Sequence, residues 1–434
     1  MNRTSWIPAH RQEELRSLVQ RSRQVVLLAA LTGAVTGLIV AGFEALSAEV
    51  LFDRVLRMSP WVAAWMPAAG LLVGLAIRKW IGRGVSPATT DEYLHAFHDQ
   101  HHQLGIRALF ARMLAAVATI GSGVPMGMEG PSLYAGASLG AEIQKRMPGT
   151  FRAADRRLLM TAGAAAGVAA IFKAPATGAV FALEVPYQDD LARRMLLPAM
   201  VASATGYLSF VAIHGTTALF PVEGISGFVA KDLAGAAVLG IIGGLSARAF
   251  GKMIRDSKSI SAGGRSWSLT LVAGLVIAGM FGLGRLLTGE SLVLGSGYDV
   301  LAWAAEPDRG VWLLLAMLAI RSIGTSAAVA GGGTGGLFIP LVVAGALIGS
   351  MVGRAVNHTD LTLFIVIGVS AFLGAGYRVP LAAVMFVAET TGRPSFIVPG
   401  LIAAVAAELV MGQSSVTTYQ RSTIMTRGAD DGPR

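Results

Sequence analysis

Five stretches of this chain, 24–43, 58–77, 195–222, 266–284 and 322–353, contain no aspartate, glutamate, lysine or arginine. Each is about as long as the ~20 apolar residues that a bilayer-spanning helix needs. Shorter charge-free runs at 158–172, 233–247, 361–377 and 394–407 are further candidates, some crossing only part of the way. Lipid offers the backbone no hydrogen-bond partners, so a spanning segment must satisfy itself as a helix or within a closed barrel. No stretch alternates as strands do, so the expected fold is all-α, with about ten or more helical segments.

Composition supports this reading. Charged residues make up 14% of the 434 residues and hydrophobic ones 53%, whereas soluble domains carry about 25% charged residues. The net charge of +9 comes largely from basic clusters between apolar runs: Arg11, Arg16, Arg21 and Arg23, then Lys145 to Arg157, then Lys252 to Arg265. Such clusters mark loops on the positive-inside face of a membrane protein. They account for the charge without nucleic acid as a partner. Residues 1–23 contain Glu13 and Glu14 and no apolar core, which reads as a cytoplasmic amphipathic segment rather than a cleaved signal. The absence of cysteine excludes disulfides and thiol chemistry.

The chain also repeats itself. At a shift of 209 residues, "GSGVPMGMEGPSLYAGASLG" falls on "AGGGTGGLFIPLVVAGALIG", so that Gly123, Gly127, Pro131, Gly136 and Gly140 meet Gly332, Gly336, Pro340, Gly345 and Gly349. At a shift of 205, "FKAPATGAVFALE" falls on "YRVPLAAVMFVAE", with Phe181 on Phe386 and Glu184 on Glu389. Two blocks in the same order indicate a duplicated membrane domain, with halves near 24–225 and 230–415 and a short tail over 416–434. Transporters commonly use this plan, often with one half inverted and the substrate at the midplane.

Each copy of the first block runs from glycines through a proline into an apolar segment. Proline is favoured in the first turn of a helix, so Pro131 and Pro340 are each expected to begin one. A helix start offers unpaired N–H groups and partial positive charge, which together bind anions. Gly136-x-x-x-Gly140 and Gly345-x-x-x-Gly349 also read as packing motifs between membrane helices. Glu129 occurs in one copy only, opposite Phe338. A carboxylate inside a membrane is a functional candidate. Ionised, it competes with an anion for the same N–H groups; protonated or swung away, it vacates them.

These stretches resemble the CLC family of chloride channels and chloride/proton exchangers, over most of 24–425. "GMEGP" (127–131) is similar to the family's G-[KR]-E-G-P, which implies that Glu129 is the gating glutamate. "GGLFIP" (335–340) resembles G-x-F-x-P, whose backbone amides, here of Leu337 and Phe338, bind the central chloride. Gly127, Gly130, Gly336 and Ile339 complete the expected anion-binding set. "AAGVAAIFKAPATGAVFALE" (165–184) matches a third family motif. The resemblance implies an inverted repeat of tilted, partly re-entrant helices, a homodimer with one pore per subunit, and a bacterial inner-membrane location. It implies chloride or a similar anion, and protons in the exchangers, as what is moved. It calls for no cofactor, metal or enzymatic residue.

Four departures stand out. Val185 occupies the position of the internal proton acid of many exchangers, which tilts the expectation toward channel-like or weakly coupled permeation, with proton-coupled antiport as the alternative. "GRGVSP" (82–87) puts Arg83 where the pore serine is expected and displaces Ser86. "SSVTTYQ" (414–420) offers Thr417 or Tyr419 for the inner tyrosine. Met128 replaces the base before the glutamate. Altered inner ligands also leave fluoride or nitrate open as the anion.

Three further features carry weaker signals. His95, His98 and His102 share a helical face with Asp91 or Asp99 nearby, which reads as a solvated connection before it reads as a metal site. Lys173 and Arg378, equivalent in the repeat, are expected at helix ends facing water or headgroups. "GTSA" (324–327) with His214 weakly resembles the serine–histidine pair of an intramembrane protease, a remote rival that leaves the duplication unexplained.

Overall fold

The computed structural model describes residues 9–147, 155–217, 219–220, 228–263, 266–357 and 360–422. Residues 1–8 of the expected N-terminal segment and 423–434 of the expected tail lie outside this set. The apolar runs of the described chain fold mainly as helices. In the first half these are α1 (Ala9–Glu44, continued by a π-helical stretch Ala45–Phe52 and a turn Asp53–Leu56), α2 (Pro60–Trp80), α3 (Thr90–His98) and α4 (Ile106–Gly121). There follow α5 (Glu129–Lys145), α6 (Arg157–Phe172), α7 (Pro175–Glu184) and α8 (Leu196–His214). The second half repeats the order as α9 (Ala230–Gly263), α10 (Trp267–Thr288), α11 (Tyr298–Ala305) and α12 (Val311–Ala330). It ends with α13 (Phe338–Ala355), α14 (Leu361–Tyr377), α15 (Pro380–Thr391) and α16 (Ile397–Met411). Helix for helix, α1–α8 correspond to α9–α16.

Among the described residues, eight helices are long and apolar enough to cross a membrane. The others are shorter, and some of the longest charge-free runs break where the site lies. The run 322–353 is the end of α12 and most of α13, separated by a non-helical segment over 331–337. Two glycines make the matching breaks possible: Gly123 (φ +88°) and Gly332 (φ +76°) adopt left-handed conformations that other residues avoid. The helices after the breaks begin at Glu129 and Phe338, two residues earlier than the prolines suggest. Pro131 and Pro340 therefore sit inside the first turn, where a missing N–H still costs nothing.

The small-residue motifs do pack helices. A Cβ on Gly136 would lie 2.0 Å from the Gly163 carbonyl oxygen, and one on Gly163 would lie 1.9 Å from that of Gly136. Gly345 and Gly368 meet in the same way in the second half, at 2.5 and 2.3 Å. Both glycine readings thus hold, at different places: the glycines within α5 and α13 bring backbones together, and those before them open the chain.

Across the halves the contacts are reciprocal, as a two-fold axis between them requires. The Glu184 carboxylate, at the end of α7, accepts the Leu381 and Ala382 amides at the start of α15 (3.1 and 2.8 Å). Glu389, near the end of α15, accepts the Ala176 and Thr177 amides at the start of α7 (2.9 and 2.6 Å) and the Thr177 hydroxyl (2.6 Å). Each half supplies the N-terminal cap that the other lacks. The halves are therefore inverted relative to one another.

Candidate anion site between the two halves

The two breaks meet on the axis. Gly127 donates its N–H to the Gly336 carbonyl (2.9 Å) and Gly336 donates to that of Gly127 (2.7 Å). This two-bond antiparallel bridge sets the starts of α5 and α13 next to each other, both deep in the protein. Here the side chains diverge. Glu129, 2% exposed, reaches over to the other half, where its Oε1 accepts the Phe338 amide at 2.5 Å with the Ile339 amide close by. Its Oε2 is buried and has no hydrogen-bond partner among the described residues. Phe338 turns its ring into an aromatic cluster with Phe172 (4.4 Å), Phe386 (4.9 Å) and Phe181 (5.4 Å). The carboxylate thus lies on the amides that the sequence marked for an anion. Space there is fixed by glycine: a Cβ on Gly336 would stand 2.0 Å from Glu129 Oε1, and one on Gly127 1.9 Å from Oε2.

A cavity of about 650 Å³ adjoins this point and is lined in part by Arg255 and Lys258 of the third basic cluster. Gly335, Gly336 and Leu337 form its inner wall together with Tyr377. Farther out lie Ser86, Asp91, Lys258 and Thr417, with Tyr419 also lining it. Lys258 bridges the halves, pairing with Asp91 (2.6 Å) and donating to the Val416 carbonyl (2.7 Å), while Asp91 also accepts the Thr418 amide (3.0 Å).

The sequence-derived positions separate accordingly. Gly127, Glu129, Gly130, Gly336, Leu337, Phe338 and Ile339 come together on the axis. Ser86 reaches the cavity wall, but its hydroxyl is engaged with Glu92 (2.7 Å) and Arg112 (3.1 Å). Arg83 does not reach it: a left-handed backbone (φ +55°) turns the side chain outward, where it is exposed. Thr417 is buried and shares a hydrogen bond with Ser415 (2.9 Å). Tyr419 is 42% exposed and stacks on His95 (4.5 Å). Val185 is fully buried just past α7.

The histidines do not converge on one point. His95 and His102 stack face to face (4.0 Å), His102 pairs with Glu92 (2.9 Å), and His98 bonds the Pro186 carbonyl (2.7 Å). His214 contacts Glu44 and Glu49 through Nδ1 (3.0 and 3.2 Å) and the Ala41 carbonyl through Nε2 (3.1 Å). Both its nitrogens are therefore taken by groups other than Ser326, and the protease pairing has no geometry to stand on. Lys173 and Arg378 are matched left-handed residues closing α6 and α14, but they fold back onto the protein rather than face water freely. Lys173 donates to the His214 carbonyl (3.2 Å), and Arg378 pairs with Glu408 (2.7 Å).

One matched pair went unread in the sequence. Arg112 and Arg321 are 209 residues apart, and both are buried. Arg112 binds the Ser86 carbonyl (3.1 Å), the Tyr134 hydroxyl (2.6 Å) and Glu92 (3.0 Å). Arg321 donates to the carbonyls of Leu292, Val293, Gly295 and Ser296. Each holds the loop before the short helix of its half, α3 or α11. The signal was an arginine in the middle of an apolar helix, repeated at the shift already found.

Comparison with known proteins agrees with this architecture. The family model described as voltage gated chloride channel matches residues 69–412. The H(+)/Cl(-) exchange transporter ClcA of Klebsiella pneumoniae (strain 342) is 26% identical, over 99% of this chain and 96% of its own. That of Salmonella newport (strain SL254) is 27% identical, over 98% and 94%. A slow cyanobacterial Cl-/H+ antiporter has the same fold (TM-score 0.80, 18% identity, covering 94% of this chain and 99% of that one). So does a CLC-type fluoride/proton antiporter (TM-score 0.75, 18% identity, 92% and 98%). With its inverted repeat and its paired helix starts on the axis, this multi-pass membrane protein belongs to the voltage gated chloride channel family, the CLC anion transporters.

Proposed function

We propose that the chain is a proton-coupled anion antiporter in which Glu129 is both the gate and the proton carrier. The observation that carries this reading is the position of its carboxylate: one oxygen on the Phe338 amide, the other buried without a partner. An ionised carboxylate there is held by the partial positive charge of the α13 start and by a charge-assisted hydrogen bond. A proton on the unpartnered oxygen removes the charge and weakens that hold. The carboxyl group then leaves the Phe338 and Ile339 amides, and an anion arriving from the cavity takes them. Anion entry and proton uptake thus draw on the same amides, which couples them.

Val185 alone pointed instead to channel-like permeation. The relatives of near-complete coverage, named as H(+)/Cl(-) exchange transporters, favour the antiporter alternative. Water in the cavity supplies a route for protons that needs no acid at 185. The test is flux in liposomes: an imposed chloride gradient should drive protons uphill, and dissipation of the chloride gradient with no proton movement would overturn the antiporter reading. Fluoride and nitrate run in the same assay identify the preferred anion. Homodimeric assembly and a bacterial inner-membrane location are part of the proposal, and mass determination in detergent tests the first.

A further inference from the structure

The aromatic cluster on the axis is built from matched residues, with one polar exception. Phe181 and Phe386 correspond, and Phe172 corresponds to Tyr377. Phe172 packs on Phe338 (4.4 Å) and Phe386 (5.1 Å) with no polar atom to satisfy. Tyr377 takes the equivalent place, 5.5 Å from Phe181 and 6.2 Å from Phe338, yet it carries a hydroxyl into one of the most enclosed parts of the molecule, where it is only 2% exposed. Burying a hydroxyl costs free energy unless something accepts or donates a hydrogen bond. A phenylalanine serves the same packing role in the other half, so packing does not explain the oxygen.

Its surroundings do. The Tyr377 hydroxyl lies beside the Leu337 backbone and the Thr90 side chain, and all three residues line the inner end of the cavity. The Asp91 and Glu129 carboxylates are the charged groups near enough to act on it. The residue is held from behind. Gln420 donates to its carbonyl (2.7 Å), and Val416 and Ser415 both bind the preceding Gly376 carbonyl (2.9 and 3.4 Å). The C-terminal segment, where family resemblance places the inner tyrosine, therefore clamps the end of α14.

We infer that Tyr377 is an inner anion ligand of this transporter: its hydroxyl donates to a small monovalent anion on the cavity side of the Leu337 amide, beside the Thr90 hydroxyl. This rests on the anion-path reading above and adds the residue that holds the anion on its inner side. O–H and N–H donors converging from α14, α3 and the start of α13 suit a halide, which accepts from all of them. The site fills when Glu129 withdraws from the neighbouring amides and empties toward the cavity.

The test is chloride titration of the full-length protein in detergent by calorimetry, beside coupled flux in liposomes. Tyr377→Phe keeps the ring and removes only the donor, so chloride affinity should fall about tenfold or more, as expected for losing a hydrogen bond to a charged group. Chloride affinity within about twofold of wild type overturns the assignment. So does the reverse pattern, in which Tyr419→Phe weakens binding and Tyr377→Phe does not. If Tyr377→Phe does not fold, 3-fluorotyrosine placed at 377 reads the same contact: a ¹⁹F shift that saturates with chloride supports it, and an unmoved resonance overturns it. Wild-type protein that moves chloride without protons sinks the antiporter reading instead, leaving the ligand assignment standing on the titration.

Discussion

The start of α5 and the start of α13 have the same backbone and opposite side chains. Both follow a left-handed glycine, both carry proline in the first turn, and each is tied to the other by the Gly127–Gly336 bridge. One presents Glu129, whose carboxylate crosses the axis to the amides of its twin; the other presents Phe338, whose ring packs on Phe172 and Phe181 of the first half and on Phe386 of its own. Symmetry builds the donors, and a break in symmetry places a carboxylate on them. Tyr377 opposite Phe172 is a second break at the same axis, a donor rather than an acid.

The comparison can be broken most severely at the acid. Glu129→Gln keeps the volume and removes the charge, so proton movement should be abolished and anion flux should lose its pH dependence. Uphill proton movement that persists in this variant would show that the proton travels elsewhere. Next come the glycines of the bridge. Gly127→Ala and Gly336→Ala place a methyl against different oxygens of the same carboxylate, at 1.9 and 2.0 Å. Overpacking of this kind costs about 1–3 kcal/mol, so both should cut transport about tenfold or more, and to a similar degree. Gly279, with nothing within 4 Å of an added Cβ, gives the contrast: Gly279→Ala should transport like wild type.

The crossed caps offer a finer test, since they should fail alike. Glu184→Gln and Glu389→Gln each weaken charge-assisted bonds worth about 2 kcal/mol. Thermal unfolding in detergent should show comparable losses, slightly larger for Glu389, which holds three donors rather than two. A loss confined to one of the two variants, or larger for Glu184, would mean that the halves are not equivalent in stability.

The smallest effect contrasts α3, which carries His95 and His98, with its histidine-free counterpart α11. Burial pushes the His98 imidazole from its usual 6.5 down to about 4. Between those values the unfolded chain binds the proton and the folded one does not. The contribution of His98 to stability is therefore whole above about pH 6.5 and declines as pH falls toward 4. His98→Gln should flatten that decline in an unfolding series across pH 4–7 and change little above it.

Much of this was legible in the chain itself. The charge-free runs gave the helices, and the shifts of 209 and 205 residues gave the duplication and Glu129. The rest depended on contacts across the axis, which leave no local pattern. Glu184 and Glu389 were visible as a coincidence, but the amides they cap lie about 200 residues away in the other half. Tyr377 was visible only as an aromatic beside a base. Val185 pointed one way and the relatives named as H(+)/Cl(-) exchange transporters point the other, because a single apolar residue records only the absence of an acid at that position.

The crossed caps also bear on where such a molecule comes from. Made alone, one half would have an acid at the end of its short helix with no amide to reach, and a helix start with no acid to cover it. A second copy inserted the other way up would satisfy both at once. The present chain is therefore organised like two identical proteins of opposite orientation, later joined end to end. Only after the joining could position 129 become glutamate while position 338 did not.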